Sequence, residues 1–143
     1  MYSALEVARY IIKRCNESNY SISNLKLQKI LYFLQAQFLV EFDTPCFNET
    51  IEAWDFGPVV PYVYHKYAVF GAATIPYIDD KGAFSFSEED WETIDAVTCT
   101  CAPYSAAGLT KITQHQRPWV NAYGNPASDE ITHDSLREYF SEE

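Results

Sequence analysis

Glycine is scarce in this sequence, with five among 143 residues. That leaves little for a backbone phosphate cradle, and no P-loop or Gly-x-Gly-x-x-Gly run is present. Histidine is thin as well: His65, His115 and His133 fall in three separate segments. No H-E-x-x-H or G-x-S-x-G pattern supplies a metal site or an activated nucleophile. The cysteines Cys15, Cys46, Cys99 and Cys101 lack zinc-ligand spacing, because thiols two residues apart on a helix point to different faces. They read as small core fillers. The expectation is no catalytic residue, no cofactor and no metal.

Positive charge is short too, 10 Lys and Arg against 20 Asp and Glu, a net charge of −10 with a pI near 4.6. Such a balance repels phosphate backbones and anionic lipid, disfavours nucleic acid and membrane as partners, and favours basic surfaces. It also keeps an aromatic-rich chain in solution. No long hydrophobic run occurs: the longest, about Ile30 to Val40, is interrupted by Gln35 and Gln37. With no apolar leader at the start, the setting expected is cytoplasmic and reducing.

What is abundant is apolar and aromatic surface, 48% and 16% of the residues. A chain of this size hides roughly 70% of its extended surface on folding, enough for a genuine core. No repeat or linker divides it, so residues 1–143 are read as one domain.

Helical period dominates. Ser3 to Glu6 has capping-box spacing, and Ala4, Ala8, Ile11, Ile12 and Cys15 follow at helical intervals. A longer helix is expected from Ser23 or Asn24 to about Glu41, with Leu27, Ile30, Leu31, Leu34 and Phe38 as its apolar stripe and Lys26, Lys29 and Gln37 off it. Ser87 caps a further helix with Trp91, Ile94 and Cys101 on its buried face, ending before Pro103. Short helices follow at Ser105 to His115, at Pro118 to Tyr123, and from Thr132 or His133 to Phe140. Thr74 to Phe86, centred on Asp79 to Gly82, suits a β-hairpin. The fold class is mainly α, a compact helical domain with a small accessory antiparallel sheet or hairpin.

The densest local signal runs from Ile51 to Tyr67. Ile51 to Phe56 reads as a short strand; Gly57 takes φ > 0 freely and Pro58 presets a helical φ, so the pair is expected to turn the strand into a helix running from Val59 to about Phe70. This stretch, with Leu25 to Lys29 upstream (Leu-Lys-Leu-Gln-Lys) and Pro118-Trp119 downstream, resembles the Panacea domain, a family of phage-associated GepA-like and SocA-like proteins. The resemblance runs from about Ala4 to Phe140. It departs from the family pattern at Thr113-Gln114-His115, where the histidine expected next to the threonine is shifted by one, and at Tyr62, where an acidic residue is usual.

The resemblance implies an antitoxin that neutralises a cognate toxin, by occlusion or by delivery to a protease. The partner-binding residues singled out are Lys26, Lys29, Tyr32, Trp54, Gly57, Pro58, Val59, Tyr64 and Trp119. Lys26, Lys29 and Tyr32 recur at i, i+3 and i+6, a spacing that fits either a contact face or lysine stems buried over the sheet. Trp54 and Trp119 fit either core or interface. If the lysines form a contact face, reversing their charge weakens neutralisation without unfolding the domain. Other classes carry less: a DNA accessory using Lys26 and Lys29 conflicts with the charge, an enzyme using Glu52, Asp55 and His65 needs residues that a strand sends to opposite faces, and a phage accessory protein that binds another protein stands as the alternative to an antitoxin.

Overall fold

The computed structural model describes residues 1–78 and 82–142. Among them are seven α-helices: α1 (Ala4–Glu17), α2 (Asn24–Glu41), α3 (Pro61–Lys66), α4 (Glu88–Cys101), α5 (Ala106–Thr113), α6 (Arg117–Ala122) and α7 (His133–Phe140). Three short strands, β1 (Ile51–Trp54), β2 (Gly57–Val59) and β3 (Glu130–Ile131), form an antiparallel sheet in the order β2-β1-β3. The protein is mainly α, as its sequence predicts.

Five helices begin on hydroxyl caps. Ser3, Ser23, Ser87, Ser105 and Thr132 accept from the backbone N–H three residues on, at Glu6, Lys26, Asp90, Gly108 and Ser135. Each such cap stabilises its helix by about 1 kcal/mol. The capping box at Ser3 is one-sided: the Glu6 carboxylate instead accepts from the N–H and hydroxyl of Ser85, tying α1 to the segment before α4.

The core is organised around α2. Its non-polar residues are not confined to one stripe, and a helix apolar on several sides must be surrounded. Accordingly α1, α4, α5, α7, α3 and β2 all pack against it, and Leu27, Ile30, Leu31, Leu34, Phe38 and Leu39 are fully or almost fully buried. Every such aliphatic side chain removed from water contributes about 1.5–3 kcal/mol before the entropy of ordering is set against it.

The structure corrects several expectations. The turn after β1 is Asp55-Phe56, and Gly57 opens β2, pairing with Trp54. The third helix therefore begins at Pro61, where proline's missing N–H is harmless, and stops at Lys66 before a 3₁₀ turn at Ala68–Phe70. The hairpin expected between Thr74 and Phe86 has turn residues 79–81 outside the described residues, and its described flanks carry no strand. Trp91 is exposed on α4 and Cys99 is exposed rather than a core filler, whereas Cys15, Cys46 and Cys101 are buried.

Candidate functional site

The polar residues of α2 act as clamps on neighbouring backbone. Gln28 accepts from the Val60 N–H at 2.9 Å and donates to Asn24, whose own amide donates to the Tyr64 carbonyl. This holds the entry of α3. Gln35 accepts from the Cys46 and Phe47 N–H groups and donates to the Phe47 carbonyl, fixing the loop between α2 and β1. Lys26 donates to the carbonyls of Ser21 and Ala102, at 3.1 and 2.5 Å.

Lys29 lies deepest. Its side chain is fully buried and its ammonium donates to the Pro58 carbonyl at 3.1 Å. Burial pushes its pKa down to about 7, because an apolar environment disfavours the charged form. A Cβ on Gly57 would stand 2.7 Å from the Lys29 Cε and 2.9 Å from the Thr113 hydroxyl. Glycine is therefore required twice over here, for φ +101° and for this close approach. Tyr32, equally buried, donates its hydroxyl to Gln116, and burial raises its pKa.

Above this support sits the β1–β2 hairpin. The Trp119 indole of α6 donates to the Trp54 carbonyl at 2.9 Å and stacks on Tyr123, with ring centres 4.4 Å apart. Tyr123 donates to Asp55 at 2.5 Å, and that carboxylate raises the phenol's pKa. Trp54 meets Tyr64 edge to face at 5.2 Å, with His65 beside them. Gln114 donates to the Asp55 carbonyl, while the ring of the shifted His115, just past the end of α5, bonds to the Lys111 carbonyl and is exposed. A cleft of about 630 Å³ opens at the tip, lined by Trp54, Asp55, Phe56, Tyr123, Asn125 and Asp129 among others.

Of the nine singled-out residues, Lys29, Trp54, Gly57, Pro58, Val59, Tyr64 and Trp119 lie in or against one hairpin, whereas Lys26 bonds to Ser21 and Ala102 and Tyr32 to Gln116. Lys26, Lys29, Tyr32, Gly57, Pro58 and Val59 are buried. The expected contact face of Lys26, Lys29 and Tyr32 is corrected: their spacing fits internal hydrogen bonding, and reversing either lysine's charge would bury a carboxylate against a carbonyl. Trp54, Tyr64 and Trp119 are half-buried and reach the surface. Sequence reasoning missed Phe56, 44% exposed at the turn, and Tyr123, 43% exposed behind it. A phenylalanine inside a tight turn, where polar residues are usual, was the available signal. Among the described residues no group of three or more His, Cys, Asp or Glu is placed to hold a metal ion, and no helix is long and apolar enough to cross a membrane.

The central helix of this mainly helical fold thus clamps a hairpin that presents aromatic rings and carboxylates at its tip. Residues 27–120 match the profile of the family described as Antitoxin SocA-like, Panacea domain, and the chain belongs to that family. It is also 43% identical over 68 residues to Antitoxin SocA of Caulobacter vibrioides (strain NA1000 / CB15N), an alignment covering 48% of this chain and 36% of that relative. No solved structure matches.

Proposed function

We propose that this protein is an antitoxin that neutralises a cognate protein toxin by direct contact, with residues 1–143 acting as one binding unit. The observation that carries the reading is the convergence of the family's separate motifs on one hairpin. The Leu-Lys-Leu-Gln-Lys segment supports its underside, Gly57-Pro58-Val59 forms its second strand, and Trp119 is bonded to its first. Such investment in holding a loop of Trp54, Phe56 and Tyr123 rigid suits pre-organised binding, which lowers the ordering cost of association. The carboxylates of Glu52, Asp55 and Asp129 add an acidic edge that favours a basic toxin surface.

The test is growth of cells expressing the neighbouring reading frame, with and without this chain supplied in trans. Relief of toxicity is expected, together with a stable stoichiometric complex of the two purified proteins. A Phe56→Asp, Tyr123→Asp double variant should fold but lose relief. Toxicity that the wild-type chain leaves untouched would overturn the reading. Relief accompanied by rapid loss of the toxin, without a stable complex, would replace direct masking with delivery to a protease.

A further inference from the structure

A second surface shares no lining residue with the hairpin cleft. Between α2, α4, α5 and α7 lies an open groove of about 720 Å³, with Phe33, Ala36 and Val40 of α2, Val97 of α4, Ile112 of α5 and Phe140 of α7 along it. Phe33, Ala36 and Val40 stand at i, i+3 and i+7, an apolar row about 10 Å long on α2, with the exposed Gln37 beside it. Val40 is 41% exposed and Ile112 40% exposed, so non-polar surface faces solvent here. The volume falls within the ordinary range for a ligand-binding pocket.

The rim carries one sign of charge. Glu41, Glu89 and Glu92 line it, no Lys, Arg or His does, and none of the three glutamates is in an ion pair among the described residues. Glu89 sits in the first turn of α4, where the helix macrodipole favours an acid. Glu41 has no such explanation. It ends α2, where the macrodipole disfavours a negative charge and the last turn holds no base. Its carboxylate accepts only the Gln37 amide in the described contacts.

From the apolar row and its unneutralised acidic rim we infer that this groove docks a basic amphipathic helix of a partner protein, with apolar residues at i, i+3 or i+4 and i+7 on the row and Lys or Arg opposite Glu41, Glu89 and Glu92. A second copy of the chain is the wrong occupant, since two protomers of charge −10 would bring acidic rims together. The inference rests on the reading of this protein as one that binds proteins, not on antitoxin activity itself.

The experiment uses a fluorescein-labelled synthetic helix of about 18 residues, leucine on one face and lysine on the other. It is titrated against the full chain by fluorescence anisotropy at low salt and at about 0.5 M salt. Binding is expected at low salt, weakened by the added salt and absent when glutamate replaces lysine in the peptide. Glu89→Lys with Glu92→Lys should weaken it about tenfold or more, and Ala96→Trp, which fills the groove from an exposed position, should block it, while Phe56→Ala leaves it unchanged. Circular dichroism and urea midpoints establish that each variant is folded. No binding by the wild-type chain, equal binding by the folded groove variants, or a sedimenting dimer that Ala96→Trp dissociates would each overturn the inference. Because the probe is synthetic, these results are independent of whether toxicity is relieved in cells.

Discussion

Gly57 shows how much one residue decides. It combines a left-handed φ of +101° with backbone that approaches a lysine stem too closely for any side chain. Gly57→Ala is therefore expected to lower stability by about 2 kcal/mol or more, from backbone strain plus displacement of Lys29, read as a fall in the urea midpoint. Gly71 has positive φ of +56° but open space around it, so Gly71→Ala should cost less than Gly57→Ala.

Lys29 makes a prediction in pH. Its folded pKa is near 7 against about 10.4 in the unfolded chain. Below pH 7 both states hold the proton, and the folded state bears the full penalty of a buried charge. As pH rises above 7 the native state releases its proton while the unfolded chain keeps one, so stability increases. The slope approaches about 1.4 kcal/mol per pH unit. Burial lowers Lys26 in the same direction. The buried thiols oppose this at higher pH, because burial raises the pKa of Cys15, Cys46 and Cys101, and an unfolded thiol ionises first. The clean window therefore runs from pH 7 to about 8.5. Unfolding free energy should rise across it, and Lys29→Met should flatten most of the rise. A wild-type profile that falls over the same window contradicts a buried lysine.

At the scale of elements, α2 is both the core and the clamp for two loops. Removing the Gln35 side chain leaves three buried backbone groups of Cys46 and Phe47 without the partner they have now. Gln35→Leu keeps the volume but not the hydrogen bonds, and should destabilise by about 3 kcal/mol or more, since three buried groups lose a partner and each costs about 1–3 kcal/mol. Gln37→Leu, two residues on and on the opposite, exposed side of α2, should change stability by no more than about 0.5 kcal/mol. Thermal unfolding of the pair separates clamp from surface. The same contrast explains what was legible in the sequence. Hydroxyl caps and helical period placed α1, α2, α4 and α7 closely, because both signals are local. The sequence leaves Lys26 and Lys29 open between a contact face and buried stems and gives no role to Gln28 or Gln35, because the carbonyls and amides they satisfy lie elsewhere in the chain, on Ala102, Pro58, Val60 and Phe47. The Gly57-Pro58 pair was read as a turn into a helix. It became a strand because Trp54 and Glu52 offered it a partner ladder, a non-local contact that composition does not announce.

At the scale of the whole molecule, the proposed function assigns charge and shape different parts in recognition. The net charge of −10 acts over roughly a Debye length, about 10 Å at 0.1 M salt, and so governs encounter. If the hairpin is the toxin-binding face, its packed aromatic atoms act only at contact, and so govern how long a complex lasts. With a basic partner in hand, raising the salt from about 0.05 to 0.5 M should slow association by tenfold or more while changing dissociation little. Phe56→Ala should do the reverse, hastening dissociation with association nearly unchanged, because an exposed phenyl ring contributes contact area and no long-range field. Stopped-flow or surface-based kinetics on the two proteins resolve both rates. If salt instead altered only dissociation, the acidic surface would have to be read as a set of desolvated contacts at the interface, and the partner's matching bases would lie within hydrogen-bonding reach of Asp55, Asp129 and Glu52.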